Sequence, residues 1–218
     1  SSFISKRENK RTAHNYCQNP LDFTYISNIN KHIINYKKFL NELIKELFYI
    51  KTTWEPYQKT TKNGYQTETN INLFELTTDK IVHLKSIIFN EIDQFYFKFY
   101  EEKCNFIKKW PSSKFIHGWH VILNKNGYQD SHIHTDGWLS GVIYLNVLPE
   151  NGENEGAIEF SLNGVNYSDL NSPNLIHQPK LGDIILFPSS LHHRTIPFTT
   201  DRKRITISFD LIPELSAS

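Results

Sequence analysis

The hydrophobic pattern of the sequence changes its period at Pro111. Before Pro111, apolar residues recur every three or four positions in segments 36–48 and 78–102, which predicts two amphipathic helices. After Pro111, short alternating runs are separated by Gly, Asn, Asp and Pro, a pattern typical of β-strands. The predicted strands are 115–123, 128–135, 138–147, 155–161, 182–187, 191–196 and 203–211. The pattern predicts an α+β chain, with a helical layer followed by a sandwich or barrel of short strands.

The same pattern predicts how the chain is organised. Residues 1–20 are predicted to be a polar arm and residues 214–218 a tail. Residues 21–110 form the helical region, which we expect to pack on the strands of 111–213 as part of the same domain. Within the helical region, the Thr- and Asn-rich stretch 52–78 is predicted to be a long loop, because Pro56 and the pair Asn63-Gly64 interrupt it.

Composition excludes several classes of protein. Lys and Arg total 24 against 23 Asp and Glu, a formal charge of +1, which argues against nucleic acid as the main partner. The sequence has neither a membrane-spanning apolar stretch nor a signal-peptide pattern. Its two cysteines, Cys17 and Cys104, do not form a disulfide framework, so we expect a reducing, cytoplasmic setting. The chain has no Met and opens with Ser1, which suggests a domain cut from a longer polypeptide.

Histidines and one aspartate are the candidates for a metal site. His132 and His134 lie two residues apart in a predicted strand, so they share a face and can converge on one ion. Asp136 lies two residues after His134 and therefore shares the same face of the predicted strand. Two ligand sets are therefore possible, His132 with His134 or His134 with Asp136, each completed by a histidine from the strand that contains His192 and His193. Three ligands that leave coordination positions open are typical of non-haem iron sites.

The last predicted strand has a polar face. Its alternate positions are occupied by Arg204, Thr206, Ser208 and Asp210. A polar inner row of this kind is typical of a strand that faces a wet site inside a barrel. An arginine with a hydroxyl group two residues further on can bind a carboxylate through two charge-assisted hydrogen bonds.

Together, several segments of the sequence resemble a known family. They are WEPYQKTTKNGYQTETNINLF, GWHVILNKNGYQDSHIHTDGWLSGVIYLNV, EGAIEF, and GDIILFPSSLHHRTIPF followed by RITISFDLIP. They resemble the Fe(II)- and 2-oxoglutarate-dependent oxygenases, which have a double-stranded β-helix (jelly-roll) core. The closest resemblance is to the subfamily that sometimes follows tetratricopeptide repeats, and it covers roughly 54–213. It implies a catalytic core at 111–213 that uses Fe(II) as cofactor and 2-oxoglutarate and O2 as co-substrates.

The resemblance also implies roles for individual residues. His193 resembles the distal iron ligand, because a Leu two residues before it and a Pro four residues after it match the family spacing. Arg204 resembles the clamp for the 5-carboxylate of 2-oxoglutarate, with Thr206 as its hydroxyl partner. Ser140 and Tyr144 are expected to contribute to the same co-substrate site.

The resemblance leaves the first two metal ligands open. Members of the superfamily usually have the motif H-x-D, which His134 and Asp136 match. Members of the subfamily have the motif H-x-H, which His132 and His134 match. We favour the second set and keep Asp136 as the alternative. In the favoured set, Asp136 and Gly137 would form a hairpin turn.

The predicted activity is hydroxylation of a protein or peptide side chain, of the prolyl, asparaginyl or lysyl type, with release of succinate and CO2. Trp119 and Trp138 are candidates for walls of the substrate pocket, and Gln66 and Thr67 of the long loop are candidates for facing the substrate. One alternative is hydroxylation of a free amino acid or another small metabolite. Another is a non-catalytic, cupin-like metal-binding domain. The sequence indicates neither a membrane partner nor an oligomeric state.

Overall fold

The structure of the protein is a computed structural model. It describes residues 16–112, 115–148, 153–163, 168 and 171–213. Most of the predicted arm and all of the predicted tail lie outside these residues. The strands are β1 (Tyr25–Asn28), β2 (Thr52–Trp54), β3 (Thr61–Thr67), β4 (Phe115–Gln129), β5 (Leu139–Asn146), β6 (Ile158–Ser161), β7 (Asn174–His177), β8 (Asp183–Pro188), β9 (His192–Thr195) and β10 (Arg204–Ile212). The helices are α1 (Tyr36–Leu47), α2 (Asp79–Phe99) and α3 (Asn105–Lys108).

The strands form two antiparallel sheets. The large sheet has the order β1-β8-β5-β10-β4-β3-β2, and the small sheet has the order β7-β6-β9. Strands β2, β3 and β4 follow one another both in sequence and in the large sheet, whereas other neighbours are distant in sequence, as in β10 between β4 and β5. The predicted α+β class with a jelly-roll core is confirmed.

The central strands of the large sheet are buried on both faces. In β8, Ile184 and Leu186 pack against the helices, whereas Ile185 and Phe187 pack against the small sheet. Because side chains alternate along a strand, two buried faces require a continuous apolar run, which the sequence of β8 provides. The large sheet therefore separates a helix-facing core from a core between the two sheets.

The two long predicted helices are confirmed with small differences at their ends. Helix α2 begins after Thr78, whose hydroxyl oxygen accepts a hydrogen bond from the backbone N–H of Ile81 at 3.4 Å. Leu40 and Leu43 of α1 pack with Leu84 and Ile88 of α2 against the large sheet. None of the helices in the described part of the chain is long and apolar enough to span a membrane.

The prediction of a long loop at 52–78 is wrong for its first part. Residues 52–67 form the β2–β3 hairpin, and β3 pairs with β4 despite its polar sequence, whereas 68–78 is irregular apart from the short 3-10 turn Leu73–Glu75. Asn63 and Gly64, expected to form a turn, lie at a bulge inside β3, where Asn63 has a φ of 47°. A Cβ on Gly64 would lie 2.6 Å from the carbonyl oxygen of Ile122, so glycine allows the close approach of the two strands.

The predicted strand at 128–135 is also wrong. β4 continues as far as Gln129, and the following residues form a loop whose regular pairing is limited to one isolated bridge between His132 and His193. Alternation of apolar and polar residues in a loop near a site gives the same signal as alternation in a strand. The short strands β1 and β7 were not predicted.

Candidate metal and co-substrate site

Three histidines meet at one end of the two sheets. The candidate ligand atoms of His132, His134 and His193 all lie within 4.8 Å of one another. Backbone hydrogen bonds hold His132 and His193 side by side, with N···O distances of 3.1 and 3.0 Å. The backbone N–H of His134 donates to the carbonyl oxygen of Ser189 at 2.9 Å. A loop and a strand that are distant in sequence thus bring the three rings together.

The Nδ1 atom of each of these histidines lies within hydrogen-bond distance of an acceptor oxygen. His132 Nδ1 is 2.6 Å from the carbonyl oxygen of Asp130, and His193 Nδ1 is 3.0 Å from that of Leu191. His134 Nδ1 is 2.6 Å from Oδ1 of Asp210. An acceptor at Nδ1 places the proton there and leaves the Nε2 lone pair free to bind a metal. The Nε2 atoms of His132 and His134 are 3.2 Å apart, consistent with two rings that face one point.

Burial keeps two of the rings neutral. Burial, followed by the proximity of His134, lowers the pKa of His132 to about 4. Burial and then the proximity of His132 and His134 lower the pKa of His193 well below its usual value. A metal ligand must be an unprotonated imidazole, so these shifts favour metal binding at neutral pH.

Asp136 lies outside this cluster. It is exposed, in the loop that follows His134, and it lines the wall of the adjoining cavity. Among the described residues, the groups that could hold a metal ion comprise only the three histidines. His192, the neighbour of His193, is half-buried and belongs to the opposite face of β9.

Arg204 is buried next to the histidines, and no carboxylate of the described residues pairs with it. Its side chain is 3% exposed, and its Nε atom donates to the carbonyl oxygen of Gly156 at 3.2 Å. Its guanidinium group lies over the ring of Tyr144, 4.9 Å from the ring centre. No ion pair within the described residues involves Arg204. An unpaired buried cation costs several kcal/mol, so the site is built for an anion.

Two buried hydroxyl groups lie beside Arg204. Thr206 Oγ1 makes no hydrogen bond within the described residues, and the hydroxyl group of Tyr144 has no partner there other than the guanidinium group of Arg204. Burial raises the pKa of Tyr144 to about 12, and the charge of Arg204 opposes this shift. Buried hydroxyl groups are normally satisfied, so these two and the guanidinium group form a ready-made set of donors for one carboxylate.

Ser140 lies behind His134 and not beside Arg204, which differs from the sequence-based expectation of a co-substrate contact. Its hydroxyl group donates to Oδ1 of Asp210 at 2.6 Å and lies 3.0 Å from His134 Nδ1. Asp210 itself was placed on the polar face of β10 but was given no role. The sequence does contain one signal for it, because Asp210 lies at an alternate position of β10 and therefore on the same face as Arg204.

An open cavity of about 580 Å³ adjoins the histidines. Trp119, Gln66 and Thr67 line it, so these candidate pocket residues do lie at the site. The ring of Trp119 is 5.4 Å from that of His134. Gln66 and Thr67 lie on β3 and not in a loop, and Thr67 Oγ1 is 2.7 Å from Nδ1 of the buried His120.

Trp138 does not line the cavity. It stacks on Phe106, with ring centres 6.0 Å apart, and its Nε1–H donates to the carbonyl oxygen of Phe106 at 3.0 Å. It also packs against the helix-facing core. The expectation of a pocket wall at Trp138 is therefore replaced by a packing role.

Comparison with protein families identifies this core. Residues 117–210, which contain the three histidines and Arg204, match the family model described as "Putative 2OG-Fe(II) oxygenase". Over these residues, the protein is similar to the 2OG-Fe(II) oxygenases. The predicted membership of the oxygenase superfamily and the predicted enzyme class, a 2-oxoglutarate-dependent oxygenase, are confirmed. None of the curated proteins compared with this oxygenase matches it.

Solved structures of the same fold resemble this oxygenase over most of its length. A prolyl-4-hydroxylase from Pseudomonas putida is 12% identical, with a TM-score of 0.58, over 88% of this chain and 93% of that chain. A prolyl hydroxylase from Trichoplax adhaerens, in complex with a hypoxia-inducible-factor peptide fragment, is 14% identical, with a TM-score of 0.60, over 90% and 86%. HygX from Streptomyces hygroscopicus, with nickel, 2-oxoglutarate and hygromycin B bound, is 12% identical, with a TM-score of 0.53, over 91% and 88%.

Proposed function

We propose that this oxygenase is an Fe(II)- and 2-oxoglutarate-dependent dioxygenase that hydroxylates a side chain of a protein or peptide and releases succinate and CO2. The observation that carries the proposal is the buried Arg204, which has no carboxylate partner among the residues that the structure describes and lies next to three converging imidazoles. The three imidazoles suit a metal ion, and Arg204 suits the distal carboxylate of a dicarboxylic acid. Their proximity suits a co-substrate that bridges them.

The residues at the site fit Fe(II). His132, His134 and His193 would hold the ion through Nε2, because each Nδ1 is engaged elsewhere. Imidazole is a good ligand for iron, and three ligands on one side leave the other positions open. Asp136 would remain at the cavity wall and would not be a ligand.

The residues also fit 2-oxoglutarate. Arg204 would bind the 5-carboxylate as a fork, and the hydroxyl groups of Tyr144 and Thr206 would donate to the same carboxylate. Apolar side chains that include Val142, Ile158 and Phe187 line the same small pocket as Arg204 and His193. The pocket therefore favours an extended molecule with one anionic end.

When bound, Fe(II) together with 2-oxoglutarate and O2 supplies the oxidant that inserts oxygen into a C–H bond. The chain binds and orients the reactants. Arg204 holds the co-substrate by its far end, and the backbone bridge between His132 and His193 fixes the spacing of two ligands. Trp119 limits the approach of the substrate to His134.

The open mouth of the cavity and the apolar side chains around it support a protein or peptide substrate. The cavity opens to solvent between the β2–β3 hairpin and the loop that contains His132 and His134. Exposed apolar side chains, Phe115 and Ile133, stand at its rim and can contact the chain on either side of a target residue. The Trichoplax adhaerens enzyme of the same fold was solved with a peptide.

Hydroxylation of a small molecule is the second candidate. HygX, of the same fold, was solved with hygromycin B, and a cavity of about 580 Å³ is large enough to enclose a metabolite. A cupin-like, non-catalytic role is less consistent with the chain, because such a domain has no use for a buried Arg204.

The first experiment is an anaerobic titration of the protein with Fe(II), with and without 2-oxoglutarate. We expect the visible absorption band of Fe(II)-chelated 2-oxoglutarate to appear only when both are present. A folded protein that binds metal but never shows this band would refute the proposed co-substrate and favour the cupin-like role.

The second experiment identifies the substrate class. The enzyme is incubated with a peptide library and, separately, with a panel of free amino acids and metabolites, and products are scored for a mass gain of one oxygen. We expect the gain in peptides. A gain confined to the free small molecules would overturn the peptide proposal and support the second candidate.

A further inference from the structure

We propose that Asp210 is a positioning residue for His134, and that its carboxylate supplies the negative charge that an H-x-D ligand pair would bring to the metal. The inference rests on the proposed function, because it concerns the same histidines. It starts from the place where the sequence departs from the usual pattern of the superfamily, with His134 where a carboxylate ligand is common.

The contact between the two side chains is close and buried. Oδ1 of Asp210 lies 2.6 Å from His134 Nδ1, and both side chains are about nine-tenths buried. A carboxylate that accepts the Nδ1–H of a metal-binding imidazole fixes the ring and makes Nε2 a stronger donor to the metal. Asp210 therefore acts on the metal through His134 and does not touch it.

The arrangement is asymmetric among the three histidines. His132 and His193 each use Nδ1 on a neutral backbone carbonyl group, and His134 alone uses it on a charged group. Three neutral imidazoles contribute no charge to a divalent ion, whereas two histidines and one carboxylate contribute one negative charge. Asp210 places that charge one hydrogen bond behind the third ligand.

A built network holds Asp210 in place. The hydroxyl group of Ser140 donates to Oδ1 of Asp210 at 2.6 Å, and Ser140 Oγ lies 2.8 Å from Ser189 Oγ. Gly137 leaves the room for this network, because a Cβ there would lie 2.6 Å from Ser189 Oγ and 3.0 Å from Cγ of Asp210. Such packing around one carboxylate indicates that its exact position matters.

The test measures metal affinity rather than turnover. Asp210→Asn keeps the size of the side chain and an oxygen that can accept from His134, but removes the charge. We expect the Kd for Fe(II), measured anaerobically, to rise by about 10- to 100-fold, the usual effect of losing a partner behind a metal ligand. Ser140→Ala leaves the charge in place but loosens Asp210, so we expect a smaller rise in the same direction, and this variant serves if Asp210→Asn does not fold.

The chain offers a matched control. Asp183 is also a buried aspartate that contacts a histidine, with Oδ2 2.9 Å from Nε2 of His177, but it belongs to β8, away from the metal site. Asp183→Asn removes the same charge from a similar environment, so its effect on folding should be comparable and its effect on the Kd for Fe(II) absent. Equal effects of Asp183→Asn and Asp210→Asn on that Kd would overturn the inference.

A second background separates charge from simple packing. His134→Asp restores the H-x-D pattern and places a carboxylate close to that of Asp210. In this background, Asp210→Asn should change the Kd for Fe(II) much less than it does in the parent, because no imidazole N–H links Asp210 to a metal ligand. A smaller effect in the second background supports the inference, and the same loss of affinity in both backgrounds would overturn it in favour of a packing role.

These outcomes are distinct from failure of the proposed function. If the parent protein binds no Fe(II), or binds it without responding to 2-oxoglutarate, the proposed function fails. If the parent binds both and Asp210→Asn binds Fe(II) as tightly as the parent, only the role of Asp210 fails.

Discussion

Replacement of Arg204 by methionine should weaken the binding of 2-oxoglutarate strongly, whereas two opposing terms nearly cancel in the free protein. The Arg204 side chain is 3% exposed, with one hydrogen bond to the carbonyl oxygen of Gly156 and a contact with the ring of Tyr144. Arg204→Met keeps the length and the apolar contact of the side chain but removes its charge. The free protein then no longer buries an unpaired cation.

The expected change in the free protein follows from these contacts. Replacing buried charges by apolar side chains is often neutral or stabilising by about 1–4 kcal/mol. The lost hydrogen bond to Gly156 offsets about 1.5–3 kcal/mol of that gain. The two terms nearly cancel, so we expect the free energy of unfolding to change by between about −2 and +2.5 kcal/mol, which moves Tm by at most about 10 °C in either direction.

The expected change in the complex is a clear loss of ligand binding. Each hydrogen bond to a charged group contributes about 1.5–3 kcal/mol, so loss of a two-pronged contact raises the Kd for 2-oxoglutarate at least about 100-fold. At a ligand concentration of about 100 times the parental Kd, 2-oxoglutarate stabilises the parent by about 2.7 kcal/mol, or about 5–11 °C in Tm. The same concentration stabilises Arg204→Met by about 0.4 kcal/mol, a shift of about 1–2 °C.

Thermal unfolding with Ni(II) in place of Fe(II) measures both effects without turnover. Arg202→Met is the matched control, because it removes the same charge from an exposed position of the chain. The increase in Tm that 2-oxoglutarate causes in this variant should equal the increase in the parent. If 2-oxoglutarate raises the Tm of Arg204→Met as much as that of the parent, the anionic end of the co-substrate binds elsewhere.

Three further expectations concern other parts of the structure. His132→Ala should abolish metal binding in a titration, whereas Asp136→Ala should bind as the parent does; the reverse result would restore the H-x-D ligand set. Trp138→Phe should lower the free energy of unfolding by about 1 kcal/mol through loss of its hydrogen bond to Phe106, with no change in turnover, and a raised KM would return Trp138 to the substrate pocket. Burial lowers the pKa of His120 to about 4 from its ordinary value near 6.5, so the unfolded chain binds more protons between these values. Stability should therefore fall as pH drops from about 6.5 to 4, by up to about 3 kcal/mol from His120 alone, and His120→Gln should show a weaker dependence in chemical denaturation.

The central strands and the long helices were predictable because burial on both faces of β8 and on one face of α2 leaves a strong hydrophobic pattern. The β2–β3 hairpin was not, because β3 is polar and owes its structure to pairing with β4. Such pairing depends on residues distant in sequence, which local propensity does not report.

The candidate site was predictable in its residue types but not in its geometry. His132 and His134 were assigned to a common strand face, whereas a loop brings them together through contacts with His193 and Ser189. The sequence showed Asp210 only as a polar residue on the same face of the last strand as Arg204. Its contact with His134 depends on the pairing of β10 between β4 and β5, which the sequence alone does not specify.

The isolated bridge between His132 and His193 has a consequence for the energetics of metal release. Two backbone hydrogen bonds already join the ends of the long stretch of chain between these residues. The entropy cost of closing this loop is therefore part of the folding free energy and not of the metal-binding free energy. A metal ion bound there would close the same loop a second time and would gain little from restricting the chain. The metal-free protein should therefore keep its fold and its ligand spacing, and chelation should be fully reversible.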